Sequence, residues 1–200
     1  MMYRVSRRKL SFSKIELQDL SKAWFAISLA FAILLSGQDL FSASFIFFFA
    51  LSAVTVGIAF LLHEIGHKIV AQRFGCWAEF RANTFMLILA VAMSFFGFVF
   101  IAPGAVLIQG YVTKSRNGKI SLMGPLTNIV LAFLFFIVMS FSFGITQQIA
   151  YYGTLINSWI AIFNLIPFWN FDGVKILRWN KIIYGMLVLT AIIIMVALFI

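Results

Sequence analysis

From Phe41 to Leu62 the chain carries no charged side chain, and the uncharged run closes on His63-Glu64-Ile65-Gly66-His67. Wound as a helix, such a run is long enough to cross a hydrocarbon layer of roughly 30 Å. Six apolar stretches of this kind can be drawn, at about 23–36, 41–68, 84–108, 121–145, 149–168 and 182–200. They are continuous rather than alternating, so they predict helices and not a membrane β-barrel. The fold class expected is an all-α polytopic membrane protein. A basic N-terminal segment, 1–22, should precede a single integral-membrane domain, 23–200. Within that first segment, "LSFSKIEL" alternates weakly and reads as a short surface strand.

Composition narrows the function classes. Hydrophobic residues make up 63% of the chain and charged residues 10%, with a mean hydropathy of +1.05. In a soluble protein the net charge of +9 would point to nucleic acid. Here the bases lie between apolar runs, which reads as topology and contact with anionic lipid, with no nucleic-acid partner. A single cysteine, Cys76, rules out an internal disulfide and a paired-cysteine metal site.

The bases also order the crossings. Arg4, Arg7, Arg8, Lys9, Lys14 and Lys22 precede the first stretch, the connector "GQDL" at 37–40 has no base, and Lys68, Arg73 and Arg81 follow the second. Two crossings therefore return the chain to the cytosolic side. If 84–108 enters and turns back at Gly97, then Lys114, Arg116, Lys119, Lys175, Arg178 and Lys181 share that side. A re-entrant 84–108 is the preferred reading. Residues 105–113 are β-branched and aromatic, and Asn117-Gly118 is a two-residue hairpin signal. Together they predict a small β-hairpin over 105–122 at the membrane boundary. Pro125 in "GPLTN" then suits the first turn of the following helix.

The pentapeptide fits H-E-x-x-H. On a helix His63 and His67 share a face and can offer two nitrogens to one metal ion, while Glu64 reaches the ion's open position as a base for bound water. A carboxylate inside a membrane segment costs on the order of 3 kcal/mol on insertion scales, so it generally has a partner or a function. A third ligand is needed. Glu16, Asp19 and Glu79 lie in basic segments and Asp39 on the opposite face, which leaves Asp172 in "FNLIPFWNFDGVKIL". Asp172 reads equally as that ligand or as the N-cap of an interfacial helix "GVKILRW".

Three segments in this order, "HEIGH" at 63–67, "GPLTN" at 124–128 and "NLIPFWNFDG" at 164–173, resemble the site-2 protease family of intramembrane zinc metalloproteases. The likeness spans residues 41 to about 178. Where many members have a second proline before the Asp-Gly this chain has Asn170, and where many have a further glycine it has Val174. The resemblance implies one zinc ion per chain on His63, His67 and Asp172, with Glu64 as catalytic base and Asn164 as a donor to the developing oxyanion. It implies a transmembrane protein as substrate and a multi-pass protein of the cell membrane with its site toward the cytosol. Asn128 is a candidate to touch substrate or the hairpin, or simply to pack, and Ile108 and Tyr111 are expected to touch substrate by adding it to a strand edge. The alternative is a non-catalytic metal-binding membrane protein, either a scaffold or a transporter. The sequence names neither the substrate nor an oligomeric state.

Overall fold

The computed structural model describes residues 10–99 and 103–200; Arg4, Arg7, Arg8 and Lys9 fall outside them. About 74% of the described residues are helical. The first helix, α1 (Lys14–Leu35), is capped by Ser13, whose Oγ accepts the Glu16 N–H. "LSFSKIEL" is therefore not a strand: its second half opens a helix. Next, α2 (Ala43–Ser52), a π turn (Ala53–Gly57) and α3 (Ile58–Arg73) run on as one rod. The Trp24 indole of α1 donates to the Ala53 carbonyl at 3.1 Å and packs on Gly57, where a Cβ would enter its ring. The rod stops at Gly75, whose φ of 79° only glycine adopts freely.

The sheet departs from the sequence-based expectation. Strand β1 (Trp77–Ala82) pairs antiparallel with β2 (Gly104–Gln109), from Trp77 opposite Gln109 to Ala82 opposite Gly104. Helix α4 (Thr84–Ser94), capped by Asn83, lies in the connection between them, and a turn at Gly97 follows it. The excursion thus leaves at Ala82 and returns beside it at Gly104. The strand expected at 105–113 exists in part, but the 105–122 hairpin does not. Thr113 caps a helix instead, accepting the Arg116 N–H, so Asn117 and Gly118 lie inside α5 (Lys114–Phe141). Gly118 is there for space, because a Cβ would enter the Trp179 side chain. Pro125 likewise lies well inside α5 rather than in its first turn.

Helix α6 (Gly144–Leu165) ends before Pro167, α7 (Asp172–Trp179) is short, and α8 (Lys181–Ala197) starts at the Asn180 cap. One apolar core joins α1, the rod and the sheet through Leu20, Ile27, Val56, Phe60 and Phe80. A second joins α5 to α8 through Ile129, Ala161, Ile176 and Leu187. The seam between them is where α3 meets α5: Gly66 lies so close that an added Cβ would sit 3.0 Å from Thr127 Oγ1, the small-residue packing of membrane helices.

Among the described residues three helical segments, Lys14–Leu35, Ala43–Arg73 and Lys114–Phe141, are long and apolar enough to cross a membrane. Their outward faces are apolar too, as Phe133, Leu134, Val138 and Phe141 of α5 illustrate. So much unpaired apolar surface fits a lipid solvent and not water.

Candidate metal centre

Helix α3 places His63 and His67 one turn apart, and the start of α7 places Asp172 in front of both. Asp172 Oδ2 lies 3.0 Å from His67 Nε2 and 3.4 Å from His63 Nε2. One ligand atom from each of the three residues lies within 4.8 Å of the others, and all three are buried. Ligands about 2.0–2.1 Å from a tetrahedral zinc stand roughly 3.3 Å apart, so the spacing suits that ion. Among the described residues no other group of three His, Cys, Asp or Glu does so.

The hydrogen bonds fix the chemistry of the two rings. His67 Nδ1 faces the Ile120 carbonyl at 2.8 Å, which can only accept. His63 Nδ1 faces Asn128 Oδ1 at 2.5 Å. The Asn128 orientation is set independently: its Nδ2 donates to Ala59 O at 3.3 Å and to Asn157 Oδ1 at 3.0 Å. Both imidazoles therefore carry a proton on Nδ1, which leaves Nε2, the nitrogen turned toward Asp172, as the one that can bind a metal ion. Holding the tautomer in this way is what supporting residues do around metal-bound histidine. Space is reserved as well. A Cβ built on Gly124 would press on His63 Nε2 and His67 Nε2 at once. The donor set, the tautomers and this clearance all fit zinc.

Asp172 is not a helix cap; Phe171 occupies that position and α7 has no side-chain cap. Burial alone would push its carboxyl up, but the facing His67 and His63 rings outweigh that and hold it below the usual carboxylate range. Its second oxygen lies 3.8 Å from Lys175 Nζ. Gly173 lets α7 start against the end of α6, since a Cβ would strike the Leu165 carbonyl.

Glu64 is buried beside the histidines and lines a cavity of about 700 Å³ with His63, His67 and Asp172. Asn164 also borders it and donates to its own helix at Ile160 O, 2.9 Å away. Ile108 lines the same cavity from β2. Tyr111 does not: it lies past the end of the strand and is 79% exposed. Asn128 does not line the cavity either. It is fully buried, and its side-chain oxygen and nitrogen are taken up by His63, Ala59 and Asn157, so here it supports His63.

Several residues escaped sequence reasoning: Asn157 behind Asn128, Lys175 beside Asp172, Gly124, and the Ile120 carbonyl. Asn157 carried a usable signal, being a polar side chain in an apolar helix. A backbone carbonyl carries none.

No protein-family model matches the chain, and no solved structure does. Two curated proteins of Methanocaldococcus jannaschii are similar to it. One, named "Putative zinc metalloprotease", is 43% identical over 178 residues, 87% of this chain and 89% of its own. The other, named "Zinc metalloprotease", is 27% identical over 151 residues, 74% of this chain but 39% of its own length. With the first of these likenesses running almost end to end through both proteins, the chain belongs to this family of zinc metalloproteases.

Proposed function

We propose that this chain is an intramembrane metalloprotease of the site-2 protease type, hydrolysing peptide bonds within or near the membrane segments of a transmembrane protein. The observation that carries the reading is the convergence of the Nε2 atoms of two histidines and the Asp172 carboxylate beside buried Glu64, in a cavity walled by helices with apolar outer faces. His63, His67 and Asp172 would hold zinc. When bound, zinc lowers the pKa of a water in its open position to about 7 and polarises a carbonyl oxygen.

Glu64 takes the proton of the attacking water and passes it to the departing amine, a transfer usually worth about 10²–10⁴-fold. Asn164 borders the cavity and would donate its remaining N–H to the oxygen on which charge develops. The substrate must arrive unwound, because a helix hides its amides. The cavity-facing edge of β2 supports a way to hold it. Phe80 and Ala82 of β1 turn their N–H groups away from β2, toward Glu16 and Asp19. Backbone direction alternates along an antiparallel pair. Opposite them, Val106 and Gly104 therefore turn their groups away from β1, and Ile108 follows the same phase. The Val106 amide comes against the Glu64 carboxylate on that side. An extended segment added there would be drawn past the base and the metal.

The multi-pass arrangement, a cell-membrane location and a site toward the cytosol are supported by the placement of the bases, with His67 immediately before Lys68. The deciding experiment is zinc per chain in detergent-purified protein for wild type, His67→Ala and Asp172→Ala, followed by cleavage of membrane-protein substrates. Near one zinc in wild type, lost in both variants, is expected. Folded wild type that takes up no zinc, or zinc-loaded protein with no proteolysis, would leave a non-catalytic membrane protein.

A further inference from the structure

Glu16 stands with its carboxylate wholly inside the protein, at 0% exposure, in the first turn of α1. Its Oε2 pairs with Lys68 Nζ, itself only 1% exposed and the residue directly after His67. Its Oε1 accepts the Phe80 N–H of β1 at 3.0 Å. One carboxylate therefore touches both the helix that carries two metal ligands and the sheet that borders the cavity. The surroundings hold it in place. Ser13 Oγ accepts the Glu16 N–H and donates to Glu79 Oε2 at 3.2 Å. The Lys68 ammonium lies 4.0 Å from the centre of the Phe12 ring. One turn along α1, Asp19 Oδ2 takes the Ala82 N–H at 3.4 Å.

A buried ion pair is a poor source of stability, since an apolar pair of similar volume generally does as well. What an apolar pair cannot do is accept a strand N–H. Without a neighbour of its own, the outer row of β1 would be an open edge. Glu16 and Asp19 occupy the place of a third strand there.

We infer that Glu16 is a positioning residue, taking the Phe80 N–H of β1 from α1 so that the cavity-facing edge of β2 stays against Glu64. Its meaning for catalysis rests on the protease reading above; the mechanical claim does not.

The test compares two near-isosteric variants of the full chain in one background, Glu16→Gln with Lys68→Met and Glu16→Met with Lys68→Met. Both remove the ion pair, and only the glutamine keeps an oxygen for Phe80. Hydrogen exchange of peptides covering 77–82 and 104–109 should stay within about threefold of wild type in the glutamine variant and rise about tenfold or more in the methionine variant. Zinc per chain should be unchanged in both. With a single-span membrane protein that the wild type cleaves, the methionine variant should raise KM about tenfold while kcat moves less than about threefold. Equal protection in the two variants would overturn the inference. So would unfolding of both, because the ion pair alone would then hold this corner. Wild type without zinc or cleavage would defeat the protease reading and still leave the exchange comparison to decide the role of Glu16.

Discussion

Asn128 accepts the Nδ1 proton of His63, and in doing so it aims the other nitrogen of that ring at Asp172. The amide comes from α5 and is itself held by Asn157 of α6, so three helices agree on the orientation of one ligand. Replacing Asn128 with leucine should weaken zinc binding about 10–100-fold, the usual effect of losing such a partner. Asn157→Ala should weaken it less. Competition with a chromophoric chelator measures both. Unchanged affinity in Asn128→Leu would show that packing alone sets the ring.

Gly124→Ala is the smallest change with the largest expected effect. In an ordinary helix interior it would help by up to about 1 kcal/mol. Here the added methyl would fall between the two ligating nitrogens. Zinc per chain should drop to background while helicity and melting temperature are kept. A variant that still holds one zinc would mean that α5 sits farther from α3 than described.

Glu64→Gln keeps the shape of the site and removes the base. Zinc should be retained, and cleavage should fall by about 10²-fold or more. Both are read on the same preparation, by metal analysis and by gel. Undiminished cleavage would remove Glu64 from the mechanism.

The strand edge can be probed by proline on alternate residues. Ile108→Pro removes an N–H that points away from β1, whereas Leu107→Pro removes one that belongs to the ladder with Glu79. The first should abolish cleavage with zinc bound and the β1 amides still protected from exchange. The second should expose those amides. Normal cleavage by Ile108→Pro would exclude substrate addition at this edge.

The candidate metal ligands were legible because helical spacing alone brings His63 and His67 together, and because few acidic residues remained to complete the set. Asp172 needed the resemblance to decide between ligand and cap. The misreadings have a common cause: a local signal was overruled by a distant neighbour. Asn117-Gly118 looks like a hairpin turn until Trp179 is seen filling the space over Gly118. The strand at 104–109 was partly legible, but its partner at 77–82 sits in a connector whose sequence reads only as basic. Glu16 has charged neighbours in sequence that hide its role, whereas its partners, Lys68 and Phe80, are remote in the chain. Asn128 could be recognised as polar in an apolar helix, but not which nitrogen it would serve.

With β1 closed off by Glu16 and Asp19, the sheet can lengthen on one side only, and that side has a sense of travel. A segment joining β2 antiparallel must lie with its N-terminal end by Gln109 and its C-terminal end by Gly104. A span inserted in a bilayer has one heading from the day it is made. An enzyme docking its targets this way would sort them by heading before any side chain is compared: two membrane proteins of like sequence and opposite insertion would meet it as different molecules.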